Sequence, residues 1–332
     1  MSEALEKILK KKYGDIFLSA DQITQKEKVV IPVSPKLDIG LNGGVPEGSW
    51  FIISGKPKLG KSTLALQFCA TAQKEEYGAR RCYYLDAEGR LEKKILNGIE
   101  GLQQDKLTVV KSSQGNILSS EKFLTIAEQI IKTEPNIILV IDSASAMCSQ
   151  SEMDSEEIKG TGRNNGPKLL AEFTRRLANV VPVQNNIVII IQHMIANTSG
   201  YGPSFMEDGG NKICYQSDIK LRGRTFTKWE DNTKKQIGQI ATWDVVHSAL
   251  GAPGATVEGY IRFGYGIDSI WELIDIATDL DLIEKGGAWF TIKFTGEEIK
   301  LQGQNKVWQY LNDNPELCKK LKEEIRRLCY NG

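Results

Sequence analysis

From about Val33 to Gly266, short aliphatic runs alternate with stretches in which apolar residues recur at helical spacing. Residues 50–54, 81–85, 137–141 and 187–191 are apolar runs of strand length. Strands separated by amphipathic helices predict a mostly parallel sheet covered by helices, an α/β fold. Ahead of this core Leu5, Ile8 and Leu9 sit at helical spacing, Tyr13, Ile16 and Phe17 follow, and then come the β-prone Val29, Val30 and Ile31. A helix and a strand of that size lack a core of their own, so residues 1–32 are expected to form an arm that packs elsewhere. Past Asp268 the pattern changes to a helix, a turn at Gly286 and Gly287, a strand over 289–293 and a final helix over 314–329. That predicts a small α+β domain over residues 269–332, which leaves 33–268 as the main domain.

Two stretches resist a regular reading: residues 149–165, polar with Gly160 and Gly162, and residues 197–211, rich in glycine with Pro203. Each follows a core strand, so both are expected to be loops at the C-terminal edge of the sheet, where open α/β sheets bind ligands.

Composition narrows this little. The 332 residues are 41% hydrophobic and 25% charged, which excludes disordered and fibrous classes and fits a globular protein. Lys and Arg together number 42, as do Asp and Glu, so any nucleic-acid contact must come from local basic surface and not from a net field. The six cysteines show no C-x-x-C spacing, which argues against a metal site or a disulfide framework and for reduced thiols in the cytoplasm. The first residues carry no apolar segment and no run reaches membrane length, so no membrane partner is expected.

The chemistry begins at Gly55-Lys56-Pro57-Lys58-Leu59-Gly60-Lys61-Ser62, which matches the phosphate loop G-x-x-x-x-G-K-[ST], with an apolar strand before it and a helical stretch from Thr63 after it. The glycines let successive backbone N–H groups and the helix N-terminus face an anion. Lys61 is expected to reach the β- and γ-phosphates of ATP, and the Ser62 hydroxyl to ligand Mg²⁺. Such a site needs a carboxylate at a neighbouring strand end, which the run ending in Asp142 supplies. It also needs a group to activate water; the run ending in Asp86-Ala87-Glu88 offers Glu88. Gln192, ending another run, is placed to sense a γ-phosphate and pass its presence to the glycine-rich stretch behind it. Neither His193 nor His247 has the spacing of a metal site or a triad, and both are read as structural.

With these residues in place the chain resembles the RecA family, including its phage UvsX-like members, over nearly its whole length. The resemblance rests on Leu37-Asp38-Ile39-Gly40 through Gly43-Gly44-Val45-Pro46-Glu47-Gly48 before the loop, and on Leu85-Asp86-Ala87-Glu88, Ile141-Asp142-Ser143, Gln192 and Gly209-Gly210-Asn211-Lys212. Its most specific stretch runs from Gly264-Tyr265-Gly266-Ile267 to Leu282-Ile283-Glu284-Lys285-Gly286-Gly287-Ala288-Trp289. It implies a homo-oligomeric helical filament on single-stranded DNA with ATP and Mg²⁺ at each interface, exchanging strands with duplex DNA, served by a single-strand-binding protein and a loading mediator. Residues 149–165 and 197–211 match the family's two DNA-binding loops, with Lys168, Arg175 and Arg176 on the helix after the first. Met194, Tyr201, Phe205 and Met206 wedge against bases or fold on their own loop. Lys220, Arg222 and Arg224 line a second duplex site or a solvated strand face.

Tyr215 matches an aromatic that packs on the next protomer, and Phe263 with Gly264 matches the adenine site. The sequence departs from the family in three places. His247 and Ala249 stand where two lysines commonly reach the neighbour's ATP, with Arg262 as a substitute; Ile95 replaces an adenine-stacking tyrosine; and no acidic tail follows residue 329. Two rivals stay open, a hexameric helicase of the same fold and a regulatory paralogue that does not exchange strands.

Overall fold

The computed structural model describes residues 3–14, 16–25, 27–156, 166–197, 205–208, 216–296 and 298–330. Two short strands, β1 (Val30–Ile31) and β2 (Val45–Pro46), pair antiparallel beside the main sheet. That sheet contains β3 (Trp50–Gly55), β4 (Cys82–Asp86), β5 (Leu107–Val110), β6 (Ile138–Asp142), β7 (Ile187–Ala196), β8 (Phe205–Glu207), β9 (Ile219–Glu230), β10 (Gln236–His247), β11 (Thr256–Arg262) and β12 (Gly266–Ile267). Its order is β12-β11-β10-β9-β3-β7-β6-β4-β5, with β8 paired to β7. The strands from β5 to β9 along this order run parallel, as the alternating pattern predicts. Beyond β9 the sheet turns antiparallel through β10, β11 and β12, because these strands are joined by hairpins with no intervening helix.

The central strands are buried on both faces. Phe51 and Ile53 of β3 enter one apolar cluster with Leu64, Ala65 and Phe68 of the Lys61–Ala72 helix. Trp50 and Ile52 enter the other, with Phe123 and Leu124 of the Ser120–Thr133 helix and Phe173 of the Gly166–Leu177 helix. This alternation is the period of two that strand geometry imposes. It clamps β3 rigidly beneath the loop that follows it.

β7 departs from expectation. It runs past residue 191 to Ala196, and β8 returns against it with Met194 opposite Glu207 and Ala196 opposite Phe205. Residues 205–207 of the expected 197–211 loop are therefore a strand paired to β7. At the N-terminus, the Glu3–Tyr13 helix leaves Leu5, Ile8 and Tyr13 exposed, whereas Ile31 on β1 is fully buried. The strand portion of the expected arm thus belongs to the chain's own core. After Asp268 come the Ser269–Asp279 helix, a three-stranded antiparallel sheet of β13 (Ile283–Gly286), β14 (Trp289–Ile292) and β15 (Ile299–Gln302), and the helices Gln304–Asp313 and Pro315–Tyr330 around a separate apolar cluster. The β15 strand and the Gln304–Asp313 helix were not apparent in the sequence, whereas the final helix expected over 314–329 is observed as Pro315–Tyr330. Among the described residues, no helix is long and apolar enough to cross a membrane.

Candidate nucleotide site and its hairpin

The loop after β3 wraps around its own lysine. Lys61 Nζ donates to the carbonyls of Gly55 (3.0 Å) and Lys56 (2.9 Å), and burial pulls the ammonium below its ordinary pKa. Gly60 holds a φ of 96°, and a Cβ there would stand 2.2 Å from Ile261 Cδ1, so only glycine closes the turn. Leu59 is buried beneath the loop, against Gly223 of β9. Gln239 of β10 donates to the Lys58 carbonyl at 3.1 Å. Lys56, Pro57 and Lys58 form the outer turn and Thr63 lies on the first turn of the following helix.

Ser62 Oγ donates to Asp142 Oδ2 at 2.6 Å, and the buried Tyr84 hydroxyl donates to the same oxygen. Burial raises the Asp142 carboxyl above its usual range, and these two donors work against the rise. A hydroxyl and a buried carboxylate at a phosphate loop fit Mg²⁺, a hard cation that takes few protein oxygens and completes its shell with phosphate and water. Among the described residues no group of three or more His, Cys, Asp or Glu gathers to hold another metal.

Glu88 stands one strand over. Asp86 accepts the N–H groups of Arg90 (3.1 Å) and Leu91 (3.0 Å), and Ala87 N–H donates to the Asp142 carbonyl at 2.9 Å, so the turn carrying Glu88 is tied to β6. Glu88 Oε1 accepts from Ser143 Oγ at 2.9 Å and from His193 Nε2 at 2.5 Å, and Arg90 lies 3.3 Å from Oε2. Burial pushes the Glu88 carboxyl up, but the His193 and Ser143 hydrogen bonds and the Arg90 charge outweigh it and hold it below its ordinary value. His193, set aside in the sequence, therefore sits at the candidate base. Its position next to Gln192, just past the apolar run, was the available signal.

Gln192 is fully buried; its Nε2 donates to the Asp208 carbonyl at 3.4 Å, and its Oε1 has no partner among the described residues. The hairpin it supports leans on the phosphate loop. Lys56 Nζ lies 4.0 Å from the centre of the Phe205 ring, and Ser54 Oγ donates to Glu207 Oε1 at 3.1 Å. Buried Lys220 pairs with Glu207 at 2.6 Å and Arg222 approaches it at 3.5 Å, while Arg224 pairs with Asp244 at 2.7 Å. Lys220 thus serves the hairpin's base and not a solvated strand face.

Of the other candidates, Lys168 and Arg175 are exposed on the Gly166–Leu177 helix, and Arg176 is tied to Glu128 at 2.8 Å. Met194 is half-buried on β7. Phe263 is exposed beside Gly264, whose φ is 74°. His247 Nδ1 shares a hydrogen bond with Ser217 Oγ at 2.7 Å. Arg262 is engaged within its own chain: Nε donates to Asp268 Oδ2 at 2.6 Å, and the guanidinium lies 4.7 Å from the Trp229 ring and 5.2 Å from the Trp308 ring. Reaching a neighbouring protomer would require leaving that cage. Tyr201, Gly209, Gly210, Asn211, Lys212 and Tyr215 lie outside the described residues.

A phosphate loop, an acid at the next strand but one and a carboxylate at the strand beyond, on a mostly parallel sheet, are the arrangement of the P-loop nucleotide-binding class. The model of the RecA N-terminal domain family matches residues 1–268, and that of the RecA C-terminal domain matches residues 271–329. The chain is 32% identical over 295 residues to "Protein RecA" of a Nitratiruptor species, covering 88% of this chain and 81% of that protein. It is 31% identical over 317 residues to "Protein RecA" of Phytoplasma mali, covering 95% and 90%. The chain belongs to the RecA family. That family comprises DNA recombination and repair proteins, DNA-dependent ATPases that use ATP and Mg²⁺.

Proposed function

We propose that the chain is an ATP- and DNA-dependent homologous recombinase that forms a helical filament on single-stranded DNA, searches duplex DNA for homology and exchanges strands. The observation that carries this reading is that one strand, β7, serves both halves of the task. Its Gln192 lies at the nucleotide edge of the sheet, and its far end forms the hairpin with β8, whose Phe205 and Glu207 touch Lys56 and Ser54 of the phosphate loop and its strand. A change at the phosphates therefore has a short packed route to the segment expected to meet DNA.

In this reading Lys61 releases the loop carbonyls to meet the β- and γ-phosphates, Ser62 and Asp142 hold Mg²⁺, and Glu88 accepts the proton of the attacking water. Bound Mg²⁺ supplies neutralisation of the developing phosphate charge. Lys168, Arg175, the residues of 197–211, Gly209 to Asn211 among them, and the adjoining Lys212 contact DNA through phosphates and stacking, which suits a protein that accepts any sequence. Phe263 and Gly264 border the adenine, and Tyr215 and His247 face the next protomer. The cytoplasm is the compartment, with a single-strand-binding protein and a loading mediator as further partners.

Negative-stain imaging with single-stranded DNA and a non-hydrolysable ATP analogue, run beside a strand-exchange assay, tests this. Helical filaments with exchange are expected. Closed rings would point to a helicase, and filaments without exchange to a regulatory paralogue.

A further inference from the structure

His193 is the polar side chain at the nucleotide edge whose contacts the chemistry above leaves unused. It is bound on three sides. Its backbone N–H donates to Ser145 Oγ at 3.0 Å, its carbonyl accepts from Asp208 N–H at 2.9 Å, and its ring Nε2 donates to Glu88 Oε1 at 2.5 Å. Ser143 Oγ, at the end of β6, donates to that same oxygen at 2.9 Å. Two donors from neighbouring strands therefore converge on one oxygen of Glu88. Among the described residues, the other oxygen meets only Arg90, at 3.3 Å on a side chain that is 81% exposed.

We propose that His193 is a positioning residue for Glu88: together with Ser143 it immobilises Oε1 and so fixes where Oε2 meets the attacking water. The inference rests on the reading of Glu88 as the hydrolytic base. A glutamate side chain has three rotatable bonds, and Glu88 sits on a turn beyond its strand, so nothing in the backbone alone aims its carboxylate. Misplacing a reacting group by about 1 Å costs on the order of 100-fold in rate. A purely restraining role would hold both oxygens with sheltered donors. Here Oε2 is left to a solvent-exposed arginine, whose hold is weakened by water and salt. The backbone that carries the ring is clipped to Ser145 on one side and to Asp208 on the other, while Nδ1 has no partner among the described residues.

Steady-state ATP hydrolysis with single-stranded DNA, measured on the full chain, tests this. His193→Ala is expected to lower kcat about 10- to 100-fold and to leave KM for ATP within about twofold. His193→Gln, whose amide nitrogen reaches the same point, is expected to restore kcat to within about threefold of wild type. A second readout does not depend on turnover. With only two histidines in the chain, a His247→Asn variant presents a single imidazole to ¹⁵N NMR. Its Nε2-bound proton should exchange slowly, and further substitution of Glu88→Ala should abolish that protection. Unchanged kcat in His193→Ala, a rise in DNA-independent hydrolysis, or a ring proton indifferent to Glu88→Ala would each overturn the proposal. Glu88→Gln separates the two layers. If that variant keeps turning over, the base has been misassigned and the inference goes with it. If it is inactive while His193→Ala is fully active, positioning alone is wrong.

Discussion

Replacing Tyr84 by Phe removes one oxygen atom from the wall of the Mg²⁺ side of the site. Tyr84 is 1% exposed and its ring packs in the same apolar cluster as Leu64 and Phe68, so the phenyl ring should stay where it is. What is lost is the hydroxyl that donates to Asp142 Oδ2. Asp142 is also largely buried. A hydrogen bond to a charged group contributes about 1.5–3 kcal/mol. With Mg²⁺ bound, the Ser62 hydroxyl would be drawn to the metal, which would leave Tyr84 as the donor that orients the carboxylate. Loss of such an outer partner typically weakens metal affinity about 10- to 100-fold, which matches the hydrogen-bond figure. The half-saturating Mg²⁺ for DNA-stimulated ATP hydrolysis is therefore expected to rise by about that factor, with kcat at saturating Mg²⁺ much less affected. Tyr83→Phe is the control, because the Tyr83 hydroxyl donates to Glu134, at 2.6 Å, away from the site. If Tyr84→Phe folds with wild-type cooperativity and its Mg²⁺ midpoint matches that of Tyr83→Phe, the assignment of Asp142 as the metal-side acid is refuted.

Glu88→Gln should retain binding of ATP and DNA while losing most hydrolysis, since the amide cannot take up a proton; equilibrium binding beside single-turnover hydrolysis checks this. Phe205→Ala removes the ring over Lys56, a partly exposed cation–π contact of about 0.5–1 kcal/mol. The stimulation of hydrolysis by DNA should fall about two- to fivefold, and an unchanged ratio of rates with and without DNA would sever the hairpin from the phosphate loop. Glu272 is fully buried, accepts N–H groups from Lys36 and Tyr260, and is pushed up by burial to about 7. Between about pH 4.5 and 7 the folded chain then holds a proton the unfolded chain releases, so this carboxyl stabilises the fold below that window and loses its effect as pH rises through it. Relative to Glu272→Gln, wild-type stability from urea melts should decline by up to about 3 kcal/mol from pH 4.5 to above 7, and a flat difference would refute the shift.

The legible parts of the fold were those where one physical constraint dominates. Strands buried on both faces must be nearly all aliphatic, and Phe51 to Ile53, Ile138 to Ile141 and Ile187 to Ile191 read directly as β3, β6 and β7. The phosphate loop was equally open to reading, because Gly60 leaves no alternative residue against Ile261. Less legible were the elements with one wet face. The hairpin of β7 and β8 was read as irregular because its glycines and Pro203 mark a turn without saying how far the pairing extends on either side. The antiparallel strand β9 carries Arg224, Thr225, Thr227 and Lys228 on exposed positions, which dilutes an apolar period.

The same contrast separates the candidate residues that sequence reasoning singled out from the one it passed over. Asp142, Glu88 and Gln192 each end an apolar run, and a polar residue at that place at a parallel sheet's C-terminal edge is conspicuous. His193 lies one step further along β7, where the strand does not stop, and its significance comes from a contact with Glu88, 105 positions away in the chain. A lone histidine has no spacing signature for such a contact. Arg262 shows the converse: its charge and position invited a role toward a neighbouring protomer, yet Trp229, Trp271, Trp308 and Asp268 gather around it only once the C-terminal helices pack on the core. Sequence alone exposes the type of a charged group, and the packed partners decide whether that charge is spent inside the protomer or offered outside it. In this structure the Arg262 charge is spent inside the protomer, and turning it toward a neighbour would mean giving up Asp268 and the tryptophan rings.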